Sequence, residues 1–137
     1  MRGWSPKSQI VHDQLTPNMQ LLVTRIRDEV ADISLICGFR DKLEQDAAVA
    51  AGTSQKEWPD GNHNKFPSKA VDFRPHPFPE YDLKVWAALG YIAGRATAIA
   101  KEIGFVLRWG GDWNMNGDLT DQNFDDLFHL EEVDSPV

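Results

Sequence analysis

The sequence predicts an α+β domain, a small and mainly antiparallel sheet with helices packed against one side. Three observations lead there. The runs Ile33–Cys37, Lys69–Phe73 and Phe105–Trp109 are short, apolar and rich in β-branched or aromatic residues, as strands are. The stretches between them place apolar residues at the helical period. The order is helix, strand, helix, loop, strand, helix, strand, loop, short strand, which is not the regular alternation that builds a parallel sheet.

Each element has a local cause. Residues 1–16 read as an irregular or short helical lead, with Ser5 placed to cap and Pro6 at the first helical position. Thr16-Pro17 opens a better helix, in which Met19, Leu22, Val23, Ile26 and Val30 share one face. Gly38 ends the first strand. Asp41–Ala51 is composed of good helix formers, with Gly52 beyond its end. Arg40 therefore stands where a strand yields to a helix. It either aims at a cleft or pairs on the surface with Asp41 or Glu44. Residues 53–69 form a long loop, of the kind that is functional or disordered in a compact domain. Arg74–Pro79 is too proline-rich for regular structure. Asp82 is placed to cap a helix running to Ile103, with Leu83, Trp86, Leu89, Ile92, Ala96, Ile99 and Ile103 as its apolar stripe. A final short strand between Phe124 and Val133 carries His129, and the tail 134–137 is expected to fray.

Composition narrows the function. With 137 residues, 42% apolar and 26% charged, residues 1–137 are expected to form one domain with one core. A net charge of −7 without a basic stripe argues against a nucleic-acid partner. The N-terminus lacks the apolar segment of a signal peptide, and no run is long enough to span a membrane. Synthesis and folding in a cytoplasm, as a monomer without membrane insertion, are expected. Cys37 is the single cysteine, which excludes an internal disulfide, and it reads as a small buried residue.

The chemistry centres on Pro59–Phe73. His63 lies in a Gly/Asn/Pro-rich loop, and Asp72 lies inside the apolar run Ala70–Phe73. A carboxylate in such a run is costly to bury unless something pairs with it. With His129 they make a set of two imidazoles and one carboxylate, which in zinc enzymes leaves a coordination position for water. The bland alternative is two ordinary histidines and a capping aspartate. Asp126 precedes His129 by three residues, which in a helical or 3₁₀ turn would put both on one face. Asp126 is thus the favoured general base, ahead of Asp125 and Glu131. Arg40 would supply positive charge to a developing oxyanion or hold a carboxylate. His12 lies in no acid-rich pattern and reads as a surface or cap residue, and the neighbours of His76 offer it no acid, which argues against a metal role. Asp112, Asn114, Asn116 and Asp118, with Gly117 between the last two, match the first half of a calcium loop. Asp121 could close it in place of the missing Glu at Asn123. The same residues fit a plain Asx-turn loop.

These motifs together resemble a known family. They are Gly38-Phe39-Arg40 with Glu44-Gln45, His63 with Ser68-x-Ala70-Val71-Asp72, Arg108–Trp113, and Asp126-x-x-His129-x-Glu131. The chain is similar to the phage branch of the zinc peptidases that include D-Ala-D-Ala dipeptidases and carboxypeptidases. The resemblance implies a Hedgehog/DD-peptidase-like fold and an endolysin that cuts the L-alanyl-D-glutamate bond of the peptidoglycan stem peptide. It implies Zn2+ held by His63, Asp72 and His129, Asp126 as base, and Arg40 stabilising the tetrahedral intermediate. Phage relatives with a similar Asp/Asn loop bind Ca2+ there. Gln45 and Ser68 are candidates for substrate contacts, with a structural role as the other reading for Ser68. Such an enzyme would collect in the host cytoplasm and reach the wall after membrane permeabilisation. The alternatives are a D-Ala-D-Ala carboxypeptidase or dipeptidase, and a non-catalytic wall-binding module. The chain departs from the family in a longer loop between His63 and Asp72, and in Gly61 where relatives often carry serine.

Overall fold

The computed structural model describes residues 3–76, 78 and 83–134. Helix α1 (Pro6–Asp13) is capped by Ser5 and α2 (Pro17–Glu29) by Thr16, each side chain accepting from a backbone N–H of the first turn. Strand β1 (Ile33–Cys37) leads to α3 (Lys42–Ala50). Asp41 and Glu44 close a reciprocal capping box there, and Gly52 takes φ 77° just past the end. The long loop contains one 3₁₀ turn, Asn62–Asn64. Strand β2 (Ala70–Pro75), helix α4 (Leu83–Ile103), β3 (Val106–Gly110) and β4 (Asp126–Val133) complete the chain.

The four strands form one antiparallel sheet in the order β1-β2-β4-β3. The last strand is therefore inserted between β2 and β3. That insertion sets His129 opposite Asp72 in the ladder, with Val71 opposite Leu130. Alternation along each strand then sorts the side chains. Val71, Phe73, Leu107 and Leu130 turn to the helices and are buried in one core with Met19, Leu22, Ile26, Leu89 and Ile92. Helix α4 packs against α2 and against β2, β3 and β4, while α1 packs against β1. Each fully buried Leu or Phe contributes roughly 1.5–3 kcal/mol of transfer free energy.

Two local expectations are corrected. Strand β2 runs on through Arg74 and Pro75, which pair with Ser34 and Ile33. Pro75 is its last residue, where a missing N–H breaks no interior ladder bond. In α4, Leu83 is 80% and Trp86 52% exposed, and Val85 is buried in their place. Val85 lies one turn before Leu89 on the same face, and Leu83 and Trp86 project elsewhere. The expected cap Asp82, and the tail beyond residue 134, lie outside the described residues. Helix α3 places no residue in the apolar core; its one buried side chain is Gln45.

Candidate metal centre and its cleft

The face of the sheet opposite the helices carries the polar residues. Asp72 in β2, His129 and Glu131 in β4, and Arg108 in β3 share it, because each alternates with a core residue. This resolves the apparent cost of Asp72 in an apolar run: Val71 and Phe73 point one way and the carboxylate the other. A bulge in β1 between Leu35 and Cys37 adds a fourth neighbour. It pairs Cys37 with Asp72 while Leu35 stays opposite Phe73. Cys37 is consequently half-buried beside the site, with Sγ 3.8 Å from His63 Nδ1, instead of being a core residue.

His63 reaches the same place from the 3₁₀ turn. Its Nδ1–H donates to the Gly38 carbonyl at 2.7 Å, which turns Nε2 inward. His129 is held in the opposite sense. Its Nε2–H donates to Glu131 Oε1 at 2.7 Å and leaves Nδ1 inward. Glu131 in turn accepts from Arg108 Nη2 at 2.6 Å and Nε at 3.0 Å. His63 Nε2, His129 Nδ1 and Asp72 Oδ1 then form a triangle with every side 3.2 Å.

Three inward lone pairs at that separation repel one another unless a cation lies among them. With no metal, the cation is a proton. Burial alone would lower the His63 pKa, but the Asp72 charge raises it to about 10. Burial would also lower His129, yet its bonds to Asp72 and Glu131 raise it. Burial would raise Asp72, and the two imidazoles hold it well below the usual carboxylate range. A divalent ion is the other cation that fits. Tetrahedral coordination at roughly 2.0–2.1 Å sets neighbouring donors about 3.3–3.4 Å apart, close to the observed triangle. The backbone carbonyl and the carboxylate behind the two imidazoles are the outer partners that metal-binding histidines need.

Asp126 lies at the edge of the triangle, its Oδ2 3.9 Å from His129 Nδ1. The proximity does not come from a helical turn, as the spacing suggested, since both residues are in β4. Trp109 pairs with Leu130, but the next residue, Gly110, pairs with Asp126, and this irregularity folds Asp126 back toward the site. A Cβ at Gly110 would land on the Asp126 carbonyl. Burial raises the Asp126 pKa and the Asp72 charge adds to it, partly offset by His129, His63 and Arg40. Arg40 faces the cluster from the end of β1. Its Nη2 is 3.6 Å from Asp72 Oδ2, and its Nη1 donates to Gln45 Oε1 at 2.9 Å. Neither Asp41 nor Glu44 engages it; those two are spent on the α3 cap.

A cleft of about 610 Å³ opens over these groups, with Lys56 and Asp60 on one wall, Trp113 and Phe124 on the other, and His63 and His129 in the floor. Trp113 is anchored by its indole N–H on the Phe124 carbonyl at 2.7 Å, and its ring stands 5.3 Å from that of His129. Trp113 ends the Arg108–Trp113 motif of the resemblance, which gives it no role of its own; the contact with His129 arises only in the tertiary fold. Glu131, the rival base, is bonded to both His129 and Arg108.

Other expected residues fall elsewhere. Ser68 is fully buried and outside the cleft lining, with its single hydroxyl proton shared between the Ala70 carbonyl at 2.8 Å and the Gly38 carbonyl at 3.1 Å. Gln45 borders the cleft, but both ends of its amide are bonded to protein. His12 pairs with Asp13, and His76 is exposed at the end of β2. In the loop after β3, Asp112 accepts from the N–H groups of Asn116 and Gly117, Asn116 from that of Asp118, and Asp118 from that of Thr120. Asp121 accepts from the side-chain amides of Asn114 and Asn116. The loop is thus built on Asx turns, with Gly117 at φ 80°. Among the described residues, two sets of three His, Cys or Asp side chains lie close enough to hold a metal ion: Cys37, His63 and Asp72, and Asp72, Asp126 and His129.

A family profile described as phage L-alanyl-D-glutamate peptidase matches residues 3–133. The chain belongs to that family. Among its relatives, the L-alanyl-D-glutamate peptidase of Escherichia phage T5 is 29% identical over 91 residues, a span of 66% of either chain. Among solved structures, the Serratia marcescens L-Ala D-Glu endopeptidase ChiX superposes with a TM-score of 0.71. The superposition covers 95% of this chain and 89% of that one at 22% identity, a likeness of fold. No helix among the described residues is long and apolar enough to cross a membrane.

Proposed function

We propose that this chain is a zinc peptidase that hydrolyses the L-alanyl-D-glutamate bond of the peptidoglycan stem peptide during phage lysis. The observation that carries the reading is the 3.2 Å triangle of His63 Nε2, His129 Nδ1 and Asp72 Oδ1, whose two histidines line an open cleft. Two imidazoles and one carboxylate suit zinc better than they suit magnesium or calcium, which take oxygen sets. Bound there, zinc supplies Lewis acidity and a water of pKa near 7.

The protein's own groups do the remainder. Asp126 takes a proton from the attacking water at its carboxylate and returns it to the departing D-glutamate amine; its raised pKa moves it toward the range where both steps are accessible. Arg40 presents a fixed positive charge to the carbonyl oxygen as it gains charge. Glu131 and the Gly38 carbonyl hold the two imidazoles in the tautomers that face inward. Trp113 and Phe124 screen one wall from bulk water. Synthesis in the host cytoplasm, followed by passage to the wall once the membrane is breached, accords with this role.

The test is digestion of purified peptidoglycan by zinc-loaded protein, with the new termini read by mass spectrometry. Fragments starting at D-glutamate are expected, together with about one zinc per chain and their loss in Asp126→Asn. Release of D-alanine alone would instead mark a D-Ala-D-Ala carboxypeptidase. Wall binding without any cleavage would mark a non-catalytic module.

A further inference from the structure

Gln45 is 1% exposed, and its amide is used completely. Its Oε1 accepts from Arg40 Nη1 at 2.9 Å and from Asn64 Nδ2 at 3.0 Å. Its Nε2 donates to Ser54 Oγ at 2.8 Å and to the Lys56 carbonyl at 2.5 Å. A primary amide has two donors and two acceptor positions, so nothing is left over. Turning the amide over would set its NH₂ against two other donors, the guanidinium and the Asn64 amide. The orientation is therefore locked, and it joins three pieces of chain: Arg40 in the segment after β1, the 3₁₀ turn that carries His63, and the cleft wall at Ser54 and Lys56.

Arg40 needs that support. Its approach to Asp72 is 3.6 Å, and its other side-chain neighbour is Cys37 Sγ at 3.7 Å, so the Gln45 carbonyl is its shortest side-chain hydrogen bond. Resting on the reading of Arg40 as the group facing the developing charge, we propose that Gln45 is the positioning residue for Arg40. It fixes the guanidinium over the His63–Asp72–His129 cluster and couples it to the cleft wall at residues 53–56. Gln45 would then act on catalysis without touching substrate.

The test compares Q45L, Q45E, R40A and the R40A/Q45L double variant, all zinc-loaded, on a soluble muropeptide, with zinc content and thermal midpoint measured for each. Misplacing a catalytic group by an ångström costs on the order of 10²-fold, so Q45L is expected to lower kcat about 10- to 100-fold with KM nearly unchanged. Q45E keeps the acceptor for Arg40 and should recover most of that kcat even if its midpoint falls. In the R40A background, Q45L should cost little more, because the group it positions is gone. The proposal is overturned if Q45L keeps kcat within about twofold of the parent while R40A is impaired, or if the two losses multiply. Should Q45L not fold, Q45E decides: a kcat as low as that of R40A overturns the proposal. If R40A itself keeps full activity, the reading of Arg40 fails and this inference falls with it.

Discussion

Glu131 offers the sharpest quantitative test of the metal centre. Its carboxylate sits between His129 Nε2, at 2.7 Å, and the Arg108 guanidinium, at 2.6 and 3.0 Å, and it is itself buried. Removing an outer partner of a metal-binding histidine weakens metal binding about 10- to 100-fold, which is about 1.4–2.8 kcal/mol. Glu131→Gln keeps an acceptor for His129 but not the charge, and charge-assisted bonds are roughly twice as strong as neutral ones. The lower end, about tenfold, is expected for this variant. Glu131→Ala also leaves Arg108 unpaired beside a buried imidazole, so the upper end is expected, with a stability loss of about 2–3 kcal/mol. Arg108 is part-exposed, which keeps that loss at or below the usual range for a broken buried pair. Zinc affinity is read by competition with a chromophoric chelator, and activity is followed against free zinc. Both variants should regain most of their kcat at saturating zinc, because Asp126 and Arg40 are untouched. Variants that bind zinc like the parent yet lose kcat would refute the reasoning and return Glu131 to the position of a base.

Other outcomes follow from the same geometry. Asp126→Asn should lower kcat by about 10²- to 10⁴-fold while zinc content stays at the parent level, since the residue flanks the triangle without completing it. Gly110→Ala should displace the Asp126 carbonyl and with it the side chain, costing activity on the order of tenfold or more at unchanged zinc content, measured on the same muropeptide. Leu130→Ala, which empties a fully buried site in the central strand, should destabilise the protein by about 2–5 kcal/mol in denaturant unfolding. In chelator-treated protein the acid limb of stability should report Glu131 together with Asp72, whose carboxyl is also held low. Burial would raise the Glu131 pKa, but His129 and Arg108 bring it from 4.5 to about 2. A depressed folded-state pKa means the contribution is complete above about pH 4.5 and is lost as pH falls toward 2. The thermal midpoint should drop over that window, and Glu131→Gln should flatten the drop.

What could be read from the chain alone was whatever neighbouring residues decide between themselves. The caps at Ser5 and Thr16, the stop at Gly52, the periodic face of α2 and the strand character of Ile33–Cys37 depend on spacings of a few residues, and they appear as expected. The clustering of His63, Asp72 and His129 was reached from donor chemistry and family resemblance, not from any local pattern. Only the tertiary structure decided how these residues meet. The insertion of β4 between β2 and β3 sets His129 against Asp72, a bulge brings Cys37 to the same face, and a break in the β3–β4 register folds Asp126 in. It also decided that Glu131 bonds His129, that Gln45 bonds Arg40, and that Val85 displaces Trp86 from the core face of α4. The reason is one of range. A cap or an amphipathic stripe is settled by energies within a few residues, whereas strand order, register and bulges are settled by packing between segments up to a hundred residues apart, where a shift of one residue turns every side chain to the other face.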